Sequence, residues 1–283
     1  MTAWLRAGVV LLAVLCARSA SADADAAQPW VATNGNGDRG WLVVTRESGR
    51  ESDDPIVELV HVPPRGAGES RIGDLVLRPA VLRLRDMPNA IASVGDRAFM
   101  VFGVEDGRRS VLSIRAIATL PGQFAYEPRG RSRVERSIDS DGELVGFTGA
   151  LGTAWALLAG DTGPELLRLD DEGWAEAELP AAEFDAITLA GDDDSLLIIT
   201  QTSAWCLDRD GVWSSAFAWS DDASIDGATV AGGELFTWST HGFGDQGREV
   251  VISRASANGL REIATIEADA AAVVAMAREG RLM

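Results

Sequence analysis

Apolar residues along this chain fall in short runs, and the runs come in pairs separated by a tight polar turn. Ala90–Val94 is followed by Gly95-Asp96-Arg97 and then by an apolar run at 98–102. The same order returns as 145–150, Gly152-Thr153, 154–159, and again as 186–190, a Gly/Asp turn at 191–194, 195–200. It recurs as 228–231, Gly232-Gly233, 234–239. An earlier copy ends in Gly40 and 41–45, and a last one, 272–276 then Gly280-Arg281-Leu282, runs to the end of the sequence. Runs this short, rich in Val, Ile and Trp and bounded by Gly and Asp, predict β-strands joined by hairpins.

Each pair is followed by a third apolar run: Ile56–Val62, 111–117, 165–170, 204–208 and 249–254. A fourth strand follows a second turn, written Asp171-Glu172-Gly173-Trp174, Asp208-Arg209-Asp210-Gly211-Val212-Trp213 and Ala257-Asn258-Gly259-Leu260. Asp-Gly and Asn-Gly supply the positive φ that tight hairpins need. The tryptophans after these turns are expected between neighbouring sheets, where large aromatics fill wedge-shaped gaps. A four-strand unit repeating about every fifty residues predicts an all-β chain, a β-propeller of about six blades of four-stranded antiparallel sheets. The last blade is incomplete within 283 residues, and residues 30–33 are the one short strand the N-terminal side offers to close it. An unfinished blade leaves an open edge, so the expectation is a longer natural polypeptide.

The pattern resembles the broad β-propeller superfamily of WD, kelch and quinoprotein-type repeats, over roughly residues 30–283. It lacks the Gly-His and Trp-Asp pairs of WD repeats and the regular double glycines of kelch repeats. Its Trp-bearing turns are similar to the aspartate boxes of sialidase-like propellers, without a Ser/Thr-x-Asp-x-Gly-x-Thr-Trp run. The resemblance implies architecture and no narrower family.

Residues 1–22 read as a signal peptide, with Arg6, a short apolar core at 8–15 and the small-x-small site Ala20-Ser21-Ala22. Residues 23–283 then form a single propeller domain, and the mature chain is periplasmic or extracellular. Beyond the leader no run approaches the ~20 apolar residues that span a bilayer, so no stable membrane insertion is expected.

Removal of the leader leaves Cys206 as the single cysteine, so no intramolecular disulfide forms and stability rests on burial. The net charge is −18 and lysine is absent. That excludes Schiff-base and phosphate-loop lysines, and it sets the chain against nucleic acid and anionic membranes.

A polar residue recurs just ahead of the first strand of each unit. Asp185 and Asp226 sit in matching Asp-x-x-Thr contexts, and Asn89 and Asp269 fall at comparable places. In a propeller these positions ring one mouth of the central channel, where converging oxygens suit a cation or sugar hydroxyls. Asp and Asn also begin turns simply by bonding their own backbone. Asn34, Asn36 and Asp38 alternate as in a calcium loop, yet Gly40 stands one place late and Thr45 occupies the position of the bidentate Glu. They read as a hairpin loop, and remain the candidates if calcium binds.

His61 and His241 have no zinc-ligand spacing, no Gly-x-Ser-x-Gly elbow occurs, and His241 reads as a plain loop residue. Cys206 reads as a small buried hydrophobe. The reading is an exported, non-catalytic propeller that binds a protein or glycan ligand, needs no cofactor and tolerates calcium as its one candidate ion. Two alternatives are a carbohydrate-active propeller using rim carboxylates, Asp139 among them, and the sensor ectodomain of a longer membrane protein.

Overall fold

The computed structural model describes residues 31–33, 40–46, 56–62, 81–84, 86–105, 108–120, 123–126, 133–140, 142–161, 163–180, 186–220, 223–241, 248–268, 277–278 and 281–282. Among them every regular element is a strand. The first sheet is β1 (Val31–Thr33), β2 (Gly40–Arg46), β3 (Ile56–Val62) and β4 (Val81–Leu84), hydrogen-bonded in that order. The second holds β5 (Ala90–Val94), β6 (Arg97–Glu105), β7 (Arg108–Leu120), β8 (Gln123–Tyr126) and β9 (Arg133–Asp139). The third runs β10 (Glu143–Ala150), β11 (Thr153–Gly160), β12 (Gly163–Leu169), β13 (Trp174–Ala177). The fourth runs β14 (Ala186–Gly191), β15 (Ser195–Thr200), β16 (Ser203–Asp208), β17 (Trp213–Ala218). The fifth runs β18 (Gly227–Ala231), β19 (Glu234–His241), β20 (Arg248–Ser256), β21 (Gly259–Ala268), and a sixth pairs β22 (Ala277–Arg278) with β23 (Arg281–Leu282).

Successive innermost strands lie side by side: β1 by β5, β5 by β10, β10 by β14, β14 by β18, and β18 by β22. Antiparallel meanders set around a common axis by their first strands are the blades of a β-propeller. Two details depart from the sequence expectation. Val31–Thr33 is the innermost strand of the first blade, paired with Gly40–Leu42, and not a strand lent to the last one. In the second blade the 13-residue β7 serves two partners, β9 along its first half and β8 along its second.

The core is a stack of layers between blades. Trp41, Val43, Val57 and Leu59 of the first blade meet Ile91, Ala98, Met100 and Ile114 of the second. Phe99, Val101, Val111 and Ile138 meet Ala154, Ala156, Leu158 and Leu167 of the third. Trp155, Leu157 and Leu166 face Leu189, Leu196, Ile198 and Leu207 of the fourth. Leu197, Ile199 and Ala204 face Val230, Leu235 and Ala255 of the fifth.

Alternation along a strand explains the pattern. On β11, Ala154, Ala156 and Leu158 point to one neighbouring blade while Trp155 and Leu157 point to the other. A second strand is thus buried on both faces, which is why it reads as an unbroken apolar run. The turn tryptophans fill the layers as their position requires. Trp174 packs between blades two and three, and Trp213 between three and four, its indole N–H donating to Glu178 O at 2.9 Å. Leu260 takes the same place between blades four and five.

The two ends of the propeller differ. At one end lie the turns between first and second strands and between third and fourth. Leu151-Gly152 and Gly232-Gly233 have positive φ at both central residues (51° and 78°, 61° and 75°), the type I′ geometry that matches strand twist. Asp170, Asp192 and Asp208 each close a turn with one oxygen, Asp192 Oδ1 accepting from the N–H groups of Asp194 (2.9 Å) and Ser195 (2.8 Å). Neighbouring innermost strands approach each other closely. A Cβ on Gly149 would overlap the Ser93 carbonyl oxygen of the preceding blade, and one on Gly191 would lie 2.6 Å from Ala150 Cβ.

Candidate functional site

At the opposite end the first strands begin. Asn89 immediately precedes β5, and its backbone N–H donates to Val101 O at 2.7 Å. Asp226 immediately precedes β18, and its N–H donates to Trp238 O at 2.8 Å. In both blades the acceptor is the residue paired with the first residue of the inner strand, Ala90 with Val101 and Gly227 with Trp238. The two polar residues therefore hold one register position in two different blades, and both side chains are exposed. Asp226 Oδ2 also accepts the Thr240 N–H at 2.6 Å, so half of the carboxylate satisfies the backbone, as turn-forming aspartates do. Its Oδ1 has no partner among the described residues.

Asp185, Asp269, Asn34, Asn36 and Asp38 lie outside the described residues. Among the described residues no group of three or more His, Cys, Asp and Glu side chains is arranged to hold a metal ion. Asp139 sits elsewhere than Asn89 and Asp226. It ends β9 at the outer edge of the second blade, paired with Arg108 at 3.1 Å and bonded to Ser137 Oγ at 2.9 Å. There it lines a groove between the outer strands of blades two and three with Glu165, Glu172 and Glu176. Outer-edge and inner-strand carboxylates do not share one opening.

His241 is not a loop residue. It is the last residue of β19, and its Nε2 lies 2.9 Å from Ser239 Oγ. No motif announced this contact. The signal available was the Ser-x-His spacing, which on a strand puts both side chains on one face. Cys206 behaves as expected of a small hydrophobe, half-buried against the layer between blades four and five. Burial pushes its thiol pKa up, and the charges of Asp208 and Asp192 add to the shift.

No family model and no curated protein matches this chain. Solved structures similar to it include TolB from Acinetobacter baumannii, at 13% identity and a TM-score of 0.46, covering 89% of this chain and 56% of that one. A quinoprotein alcohol dehydrogenase-like protein from Bacteroides thetaiotaomicron is 12% identical with a TM-score of 0.38, covering 84% of this chain and 66% of that one. PorZ, a surface component of the type-IX secretion system of Porphyromonas gingivalis, is 12% identical with a TM-score of 0.31, covering 84% and 27%. The chain thus spans little more than half the length of the TolB it matches. Its own topology, antiparallel meanders joined side by side through their first strands with the core in the layers between them, makes it a β-propeller.

Proposed function

We propose that this chain is an exported β-propeller that binds a protein or glycan partner at the mouth where its innermost strands begin. The reading rests on the matched register of Asn89 and Asp226, two exposed oxygen-bearing side chains in different blades at the same end. Asp185 and Asp269 precede the corresponding runs of the fourth and last units and would add two carboxylates to the same rim. Oxygens spaced around one opening suit sugar hydroxyls or a basic protein surface, with calcium as a bridging ion. Export rests on the leader-like residues 1–22, and the net charge of −18 keeps nucleic acid away.

The test is a melting-temperature series on wild type and on Asp226→Asn and Asn89→Ala, with calcium, with chelator and with a panel of oligosaccharides. A ligand present at a hundred times its Kd stabilises the native state by about 2.7 kcal/mol. The expected result is a shift in wild type that shrinks in both variants. A shift of equal size in all three chains places the ligand elsewhere and overturns the reading.

A further inference from the structure

The end of β19 carries a side-chain pair that binding at the mouth leaves unused. Ser239 and His241 project from the same face of the strand, with Ser239 Oγ 2.9 Å from His241 Nε2. Ser239 is 7% exposed, while the imidazole beside it reaches solvent. Directly across the ladder His241 pairs with Glu249 of β20. Side chains of directly opposed residues share a face, with Cβ atoms about 4.5–5.5 Å apart. The exposed Glu249 carboxylate is therefore on the His241 side of the sheet, with no hydrogen bond or ion pair to the ring in this conformation, and Nδ1 is the ring nitrogen that Ser239 does not use. Thr240, between the pair, is tied through its N–H to Asp226 Oδ2, which anchors the strand end that carries them.

A hydroxyl within hydrogen-bond reach of an imidazole, with a carboxylate available to the second ring nitrogen, is the arrangement that activates serine for acyl transfer. The geometry points to Ser239 as a nucleophile toward carboxylic esters, with His241 as its base and Glu249 as a positioning residue. Ser239 Oγ attacks the ester carbonyl carbon and its proton passes to His241 Nε2. The tetrahedral adduct collapses, the C–O bond to the leaving alcohol breaks, and that alcohol takes the proton from Nε2. Water, deprotonated by His241, then attacks the Ser239 ester. It releases the carboxylic acid, and the proton returns to Oγ. Glu249, once its side chain turns onto Nδ1–H, holds the ring in the tautomer that leaves Nε2 as the acceptor. This activity goes beyond the binding reading and is independent of it, since Asn89 takes no part and Asp226 acts only through the backbone.

The experiment treats the purified chain with a fluorophosphonate, which forms a phosphorus–oxygen bond to an activated serine with loss of fluoride, and maps the adduct by mass spectrometry. In parallel, p-nitrophenyl butyrate hydrolysis is followed for wild type, Ser239→Ala, His241→Gln and Glu249→Gln. The expected result is one adduct per chain, on Ser239. Ester turnover should be abolished in Ser239→Ala and reduced on the order of 10²–10⁴-fold in His241→Gln. In Glu249→Gln the pH profile should change while the melt stays cooperative. Wild-type labelling needs no variant, so misfolding of a mutant cannot mask the answer. An unlabelled wild-type chain, an adduct on another residue, or hydrolysis that persists in Ser239→Ala overturns the assignment. None of these outcomes bears on the mouth, which is read by Asp226→Asn and Asn89→Ala melting shifts.

Discussion

Replacing Gly149 by Ala tests the close approach of the first strands without touching any polar group. Gly149 lies in β10 and has no positive φ, so alanine costs nothing in backbone preference there. The added methyl would overlap the Ser93 carbonyl oxygen, with the carbonyl carbon at 2.8 Å and Val94 Cγ2 at 3.0 Å. Ser93 O is backbone in the neighbouring inner strand, so no rotamer change relieves the clash. One of the two strands must move. Overpacking a tight site costs about 1–3 kcal/mol, occasionally more, and an obstacle made of backbone puts this case near or above about 3 kcal/mol. For a domain of this size each kcal/mol lowers Tm by about 2–4 °C, so the expected loss is roughly 6–12 °C. Gly152→Ala is the control. Its φ of 78° strains alanine, yet nothing lies within 4 Å of the new Cβ, so it should lose only about 1–2 kcal/mol. Differential scanning calorimetry of the three chains decides the matter. A Gly149→Ala melt within about 2 °C of wild type, or a smaller loss than in Gly152→Ala, would refute contact between blades two and three at this point.

Leu158→Ala, fully buried in the layer between blades two and three, should cost about 2–5 kcal/mol. Val212→Ala, on a turn and 57% exposed, should stay within about 0.5 kcal/mol of wild type; urea melts of both check this. Asp208→Ala removes the oxygen that accepts the Asp210 and Val212 N–H groups at 3.0 and 2.9 Å. It should lower stability by about 1–2 kcal/mol, whereas Asp208→Asn, which keeps that oxygen, should lose less. Cys206 should alkylate more slowly than a free thiol at mildly alkaline pH, because its raised pKa leaves less thiolate there. Asp208→Asn, by removing a nearby negative charge, should move the pH–rate midpoint of alkylation down; a midpoint unchanged from wild type would count against that cause.

The blades were legible in the sequence because a second strand has no solvent face. Residues 195–200 must bury Leu196 and Ile198 on one side and Leu197 and Ile199 on the other, so the sequence there is apolar throughout and stands out. Glycines that need positive φ marked the hairpins. The outer strands carried less signal. Of β17 only Trp213 and Phe217 lie even half-buried, and the division of β7 between two partners is a matter of long-range pairing that no local pattern announces. Val31–Thr33 belongs to the first blade through its register with Gly40–Leu42, a pairing that three residues do not announce by themselves.

The candidate site divides the same way. Equivalence of Asn89 and Asp226 was readable from their place ahead of each apolar run, and the matched backbone bonds bear out that equivalence. The Ser239–His241 contact was not readable, because it depends on β19 continuing two residues past the apolar stretch. Glu249 entered only through strand pairing, a long-range fact absent from local pattern.

Hydrogen exchange, read by mass spectrometry strand by strand, addresses most directly the claim that this chain is a succession of blades with its core in the layers between them. The slowest amides should belong to β6, β11, β15 and β19, whose side chains are packed on both faces, and protection should fall outward to the exposed residues of β17 and β21. Equal protection across each sheet, or outer strands slower than second strands, would contradict the layered core.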